Sequence, residues 1–374
     1  MFKKNPIIIA SVLKPVDDSR MLYKLGFSIC ETNKYDLNII GFSSKKTPKV
    51  KNIRLIEIFS ASRTSLTRLF VPAKFFKKLF RIKPAVVIVT TFELLPVATV
   101  GKWLLSYKLV YDVQENYAKN IAANRTLPRF WRRLAILLVK ASESFSRKSI
   151  DHYVFAEQCY ASEMPTIKNY TVVENKAILP KILRPPFRLS NPSAPHFILS
   201  GTITEVYGLI PAIEWYLKLY ELLPKAQLTI VGHCPMAGFS KKLAQQYGGN
   251  KGIHLKLSEQ PFPVGYIQDQ IRQADILLLP YLLLPGIKNK MPTKLYEGIA
   301  LQKVILISDN PVWKTIVDKY PAGKAIDFFA TDQIQSLWET LCAMEFYQFP
   351  PDESIDWQHE KKKIQLLIQN LSLQ

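Results

Sequence analysis

The stretch Met291-Pro-Thr-Lys-Leu-Tyr-Glu-Gly-Ile-Ala-Leu-Gln-Lys-Val-Ile-Leu-Ile-Ser308 reads as a loop, a helix and a buried strand in succession. The helix is expected to start near Pro292 or Thr293, with the Thr293 hydroxyl as its cap or Pro292 in its first turn. The apolar run Val304–Ile307 suits a parallel strand covered on both faces. Lys294 and Glu297 are three residues apart and so share one helix face. A cation in the first turn of a helix suits a diphosphate, because free backbone N–H groups and the helix dipole both favour an anion there. A carboxylate one turn further in can accept hydrogen bonds from vicinal hydroxyls such as those of a ribose. The same residues also fit an ordinary surface helix with one Lys–Glu pair, worth roughly a few tenths of a kcal/mol.

Working outward, strands and helices alternate along the chain. Before residue 180 strands are expected at Ile7–Val12, Leu37–Gly41, Arg54–Ile58, Ala85–Thr90, Lys108–Asp112, His152–Phe155 and Thr171–Glu174. Helices are expected between them at Arg20–Cys30, Ser65–Phe80, Leu94–Trp103, Arg129–Ser146 and Gln158–Glu163. Ile182–Pro195 holds prolines at 185, 186, 192 and 195 and reads as a linker. The alternation then restarts with strands at Phe197–Ser200, Gln227–Val231, His254–Leu257, Ile276–Leu279 and Val304–Ile307. Its helices are Gly208–Leu222, Lys241–Tyr247, Ile267–Gln273, the Lys294 helix and Pro311–Asp318. This pattern implies two doubly wound, Rossmann-like α/β domains, with ligands held at the carboxyl ends of their strands. The boundaries expected are 1–180, a linker 181–195, a second domain 196–345 and a C-terminal helix within 346–374.

Composition narrows the class. A chain of 374 residues exceeds one ordinary core, and a mean hydropathy of +0.02 is that of a foldable globular protein. Cys30, Cys159, Cys234 and Cys342 form no CxxC pair, and the five histidines show no HxxxH spacing. No protein-bound metal and no disulfide framework are expected, and a reducing cytoplasm is the simplest setting. The opening run Pro6–Leu13 is short and passes into Lys14-Pro15-Val16-Asp17-Asp18, so a first strand is a better reading than a signal peptide. No run reaches the ~20 apolar residues that span a bilayer.

Charge is uneven. Residues 1–180 hold 30 of the 50 basic and 13 of the 30 acidic residues. The excess concentrates in Arg63–Lys83, where Arg63 and Arg68 alternate with Leu66 and Leu69, and in Arg125–Lys148. Basic helices rich in Phe and Trp suit an anionic membrane surface, though a merely solvated helix face has the same composition. No nucleic-acid recognition motif accompanies the charge, and no nucleic-acid partner is expected.

These segments resemble those of the retaining "group 1" glycosyltransferases (glycosyltransferase family 4-like), whose fold is GT-B, two Rossmann-like domains facing a cleft. In that family a Glu-x7-Glu segment in the C-terminal domain binds the donor. Glu297 matches its second Glu, Lys294 sits where a diphosphate-binding base is common, and Gly298–Ile305 resembles the segment's continuation. Asn289 stands in place of the first Glu. Leu199-Ser-Gly-Thr-Ile-Thr-Glu-Val-Tyr-Gly-Leu209 resembles the turn that opens the donor domain. Gly201 and Thr202 would line the donor there and Gly208 would open a phosphate-facing helix, while Tyr207 stands where relatives carry Lys.

Val110-Tyr-Asp-Val-Gln-Glu-Asn-Tyr117 resembles the family's "D-x-H-E" strand end, with Gln114 in place of His and Glu115 as the remaining carboxylate. Gln114 can hold a sugar hydroxyl. Glu115 can serve as an acid/base group or as a structural acceptor. Asp18 and Arg20 follow the first strand, where relatives line the cleft, although Asp18 or Ser19 can equally cap a helix. Val173-Glu-Asn-Lys176 resembles another strand end of the family.

The resemblance implies transfer of a sugar from a nucleotide-sugar to a saccharide or lipid-linked saccharide, with retention. The nucleotide-sugar is a substrate, and no further cofactor is implied. A basic first domain suggests a cytoplasmic protein peripheral on the inner face of the cell membrane, working in surface polysaccharide synthesis. A GT-B nucleotide-sugar epimerase and a degenerate sugar-nucleotide or membrane-surface binding protein remain alternatives.

Overall fold

The structure is a computed structural model that describes residues 4–43, 50–59, 70–123 and 128–373. It divides into two compact units, residues 1–175 with 357–374 and residues 176–356. Arg63, Leu66, Arg68, Leu69 and Arg125, with the start of the helix expected from Ser65, lie outside the described residues.

The first unit is built on a parallel sheet in the order β3-β2-β1-β4-β5-β6-β7. Its strands are β1 (Asn5–Pro15), β2 (Tyr35–Phe42), β3 (Ile53–Phe59), β4 (Val86–Val89), β5 (Lys108–Val113), β6 (His152–Phe155) and β7 (Tyr170–Val172). The central strands Ile7–Ala10 and Val86–Val89 are fully buried, as their unbroken apolar runs require. After β1 the chain winds as a π-helix over Ser19–Gly26 and continues as α1 (Phe27–Cys30). Then follow α2 (Val71–Ile82), α3 (Leu95–Leu105), α4 (Tyr117–Ala123), α5 (Arg129–Ser146) and α6 (Cys159–Glu163).

The second unit repeats the winding, with the order β10-β9-β8-β11-β12-β13. Its strands are β8 (His196–Thr202), β9 (Gln227–His233), β10 (Ile253–Ser258), β11 (Ile276–Leu279), β12 (Val304–Ser308) and β13 (Gly323–Ile326). Helices α7 (Leu209–Leu222), α8 (Ala237–Tyr247), α9 (Val264–Gln273), α10 (Thr293–Ala300), α11 (Pro311–Lys319) and α12 (Ile334–Ala343) accompany them. Both sheets reverse strand order beside their first strand, between β1 and β4 and between β8 and β11. Such switch points open a crevice beyond the strands' carboxyl ends.

The proline-rich stretch read as a linker is part of the second unit. The Arg184 N–H donates to Gln302 Oε1 at 2.5 Å, and the Phe187 ring stacks on Tyr347 at 5.9 Å. Backbone bridges Phe187–Phe346 and Ala177–Asp356 close the unit. Four prolines therefore mark an ordered strap, since proline lacks an N–H without preventing side-chain packing. The last helix, α13 (Trp357–Leu373), belongs to the first unit: Trp357 Nε1 donates to Ser28 Oγ at 3.0 Å.

At the amino end of β12, Lys303 donates to the Arg272 and Ala274 carbonyls, both at 2.6 Å. Burial, with Arg184 adding to it, lowers its pKa to about 8. The native state thus sheds this proton at lower pH than the unfolded chain, whose lysines titrate near ~10.4. Stability should rise as pH climbs from about 8 to about 10, where only the unfolded state keeps the proton. Lys303→Met should flatten that rise in urea titrations across this range.

Candidate functional site

The second unit's switch point collects most of the expected donor residues. Strand β8 ends in Ser200-Gly201-Thr202. Gly201 has φ +120°, and a Cβ built on it would lie 3.7 Å from Lys294 Cε. This places the first turn of α10 directly beside the end of β8. Gly201 also lies opposite Gly232 of β9, where a Cβ would meet the Gly201 carbonyl oxygen at 1.9 Å. Gly232 is the glycine this close approach requires, whereas Gly201 is called for by its left-handed φ. Thr202 is exposed at the strand end.

Helix α7 begins against the neighbouring strand. Gly208, its N-cap, has φ +70°, and a Cβ there would fall 1.6 Å from the Pro280 carbonyl oxygen just past β11. The α7 start carries no side-chain cap, so the N–H groups of Leu209 and Ile210 meet no capping side chain, and Pro211 has no N–H to offer. Gly208→Ala should cost on the order of 2 kcal/mol, because it adds left-handed strain to a backbone overlap. Thermal unfolding would register it, and donor affinity should fall with it.

Lys294 and Glu297 pair across one turn of α10 at 2.5 Å, and both side chains are largely but not wholly covered. Pro292 is the N-cap and Thr293 the first helical residue, with no side-chain cap, so the Thr293 hydroxyl does not take the expected capping role. Gly298 lets the helix lie close on the sheet, since a Cβ there would meet Leu277 Cδ2 at 2.6 Å.

Asn289 is exposed on the loop before α10. That loop is tied down on either side of it: Asn310 Nδ2 donates to the Lys288 carbonyl at 2.8 Å and Trp313 Nε1 to the Lys290 carbonyl at 2.7 Å.

Three further groups belong to this site. The Tyr281 ring stands edge-on to Tyr207 at 5.1 Å and to Trp313 at 5.6 Å. Burial pushes its hydroxyl pKa well up, and Tyr207 and then Glu297 push in the same direction. Tyr207, the departure from the resembled motif, is therefore part of an aromatic wall. The hydroxyls of Ser200 and Thr204, on either side of Gly201, are buried with no hydrogen-bond partner among the described residues. Tyr281 had a visible signal, an aromatic directly after Ile276–Leu279 and Pro280. The two hydroxyls had none, because only the burial around them singles them out.

The first unit arranges its expected residues as a clamp. The carboxylate of Asp18 accepts from the N–H groups of Arg20 and Met21 at 3.0 and 3.1 Å, which makes it the cap of the π-helix. Arg20 is 3% exposed and Asp112 is fully buried. The guanidinium reaches Asp112 at 2.6 Å through Nη2 and 2.9 Å through Nε. It also donates to the Val173 carbonyl at 2.8 Å and to Asn175 Oδ1 at 2.9 Å. Burial works to lower its pKa, but Asp112 outweighs it and the pKa is raised.

Arg20, expected to contact substrate, is instead enclosed, because a buried cation needs a full set of acceptors. Gln114 Nε2 donates to Asp112 Oδ2 at 2.9 Å, and the Gln114 carbonyl accepts from the Tyr160 hydroxyl at 2.9 Å. Glu115 is half-buried and accepts from Asn120 Nδ2 at 3.2 Å. These residues fix the carboxyl end of the first sheet.

Two doubly wound parallel sheets with a glycine-lined switch point in the second define a GT-B fold. Solved structures share it over nearly their whole length. The chain superposes on sucrose-phosphate synthase from Thermosynechococcus elongatus with a TM-score of 0.63 and 11% identity, covering 99% of this chain and 97% of that one. It superposes on HepE of Anabaena in complex with UDP-glucose with a TM-score of 0.64 and 11% identity, covering 98% and 100%. A putative UDP-N-acetylglucosamine 2-epimerase from Listeria monocytogenes gives 0.57 and 11%, covering 98% and 96%. At these identities the likeness is one of fold. No family model matches the sequence, and no curated protein does.

Proposed function

We propose that this protein is a glycosyltransferase that moves a sugar from a nucleotide-sugar to a saccharide or lipid-linked saccharide, with retention, in surface polysaccharide synthesis. The observation that carries the reading is the approach of Lys294 to Gly201 at the switch point, with Glu297 on the same helix face and the α7 start beside it. Lys294 and first-turn N–H groups would take the diphosphate, and Glu297 the ribose hydroxyls. The buried Ser200 and Thr204 hydroxyls supply polar groups next to that position. In the reaction the bond from the sugar to the diphosphate breaks, and Lys294 stabilises the charge that grows on the departing phosphate. The acceptor hydroxyl then forms the new bond on the same face and gives its proton to the departing phosphate. HepE is a UDP-glucose complex, which makes UDP-sugars the first donors to try.

The test is nucleoside diphosphate release from UDP-, GDP-, ADP- and TDP-sugars, with and without saccharide acceptors. Acceptor-dependent release from one donor supports the transferase. Conversion of the donor sugar with no acceptor would replace it with the epimerase reading, which the Listeria likeness favours. Saturable donor binding without turnover would leave a binding protein, the reading that Tyr207, Gln114 and Asn289 favour.

A further inference from the structure

Helix α5 is unusual for its length. Of its residues Arg129–Ser146, only Val139 and Ser146 are buried. The shorter α7 buries six residues, among them Trp215 and Tyr216. What α5 leaves exposed is apolar: Phe130 at 71%, Trp131 at 59%, Leu137 at 63%, Leu138 at 56% and Phe145 at 51%. Steps of three and four residues place Phe130, Leu134, Leu137, Leu138 and Phe145 along one stripe. Helix α3 extends this patch, for the Trp103 ring lies 5.7 Å from Phe145, and Trp103 and Leu104 are about as exposed. Globular proteins seldom leave so many large apolar side chains together in water.

Beside the stripe runs a second one of positive charge. Arg129, Arg133, Lys140 and Arg147 recur at helical spacing on a neighbouring face, and Arg132 and Lys148 add to it. Glu143 is the only acidic residue between 129 and 148, and it is turned inward, where burial raises its pKa and the Tyr111 hydroxyl donates to it at 3.3 Å. The exposed face thus combines apolar bulk with cations and no exposed anion. A second copy of this chain would bring like charges together. A surface that is apolar below and anionic at its rim is the complement.

We infer that α5, with the end of α3, docks the first unit on an anionic lipid bilayer. The helix lies along the interface, with Leu137, Leu138 and Phe145 below the headgroups and the arginines among them. Trp103 and Trp131 suit the boundary, each having an apolar body and one polar N–H. No helix among the described residues is long and apolar enough to cross a membrane. The inference stands apart from the donor site, because lipid binding is read without any sugar.

The experiment is co-sedimentation of the purified full chain with vesicles of phosphatidylcholine alone or mixed with phosphatidylglycerol, at low and high salt. Binding should require phosphatidylglycerol and weaken with salt as the charges are screened. The Leu137→Ser/Leu138→Ser double variant should bind at least about tenfold more weakly with its thermal midpoint kept, because both side chains are already exposed in the fold. An Arg129→Glu/Arg133→Glu variant should lose the phosphatidylglycerol preference. Equal binding to both vesicles, or a double variant that sediments like the wild type, would overturn the inference. So would a wild-type dimer that the double variant dissolves, which would make the occupant a second copy.

Discussion

Lys294→Ala is expected to lower kcat for sugar transfer about 100- to 1,000-fold while leaving the thermal midpoint nearly unchanged. The two halves have separate causes. A preorganised donor at developing charge is worth about 3–4 kcal/mol in a transition state. The Lys294–Glu297 pair is largely covered but still reaches water, so leaving Glu297 without its partner should cost on the order of 1 kcal/mol of folding stability, small beside the effect on rate. Lys294→Arg keeps the charge but spreads it over a planar fork, and should recover only part of the rate. Glu297→Ala should act chiefly on donor KM, because ribose hydroxyls are held equally before and during bond breaking. Steady-state kinetics of both variants with one donor give the comparison. A Lys294→Ala rate within threefold of wild type would mean the leaving phosphate is stabilised by other groups.

The alternation of apolar strands with helices was enough to place both sheets, because a parallel strand buried on two faces shows an unbroken apolar run. Val86–Val89 and Val304–Ile307 are of this kind. Strand β13 was not legible: Gly323-Lys-Ala-Ile326 is four residues long, and two of them are only half-buried. The strap around Phe187 was misread as a linker because composition reports prolines and not the aromatic ring that packs among them. In the proposed donor site, Lys294 and Glu297 could be paired from spacing alone. The approach of Gly201 to Lys294 could not, since it joins residues more than ninety apart through the order of the strands. Arg20 shows the same limit in the opposite sense. Its position after β1 suggested a substrate contact, and nothing local revealed that Asp112 at the end of β5 would enclose it.

That enclosure predicts the largest stability effect in the first unit. Asp112→Ala should destabilise it by about 3–5 kcal/mol, the usual cost of leaving one partner of a buried pair uncompensated. The Val173 carbonyl and Asn175 would still accept from Arg20, but neither supplies the opposing charge. Asp112→Asn keeps the shape and one acceptor and should fall between Ala and wild type. The pair itself need not be the source of net stability, since desolvating two charges offsets much of their attraction. An Arg20→Met/Asp112→Leu double variant should therefore be closer to wild type than Asp112→Ala alone in urea denaturation. What the double variant should lose is position. Arg20 follows β1, Asp112 closes β5 and Val173 follows β7, so one guanidinium ties together the carboxyl ends of three strands. Gln114 is oriented by the same carboxylate. If this clamp sets the acceptor side, the double variant will fold and bind donor while its KM for acceptor rises. An unchanged acceptor KM would reduce the clamp to a folding device.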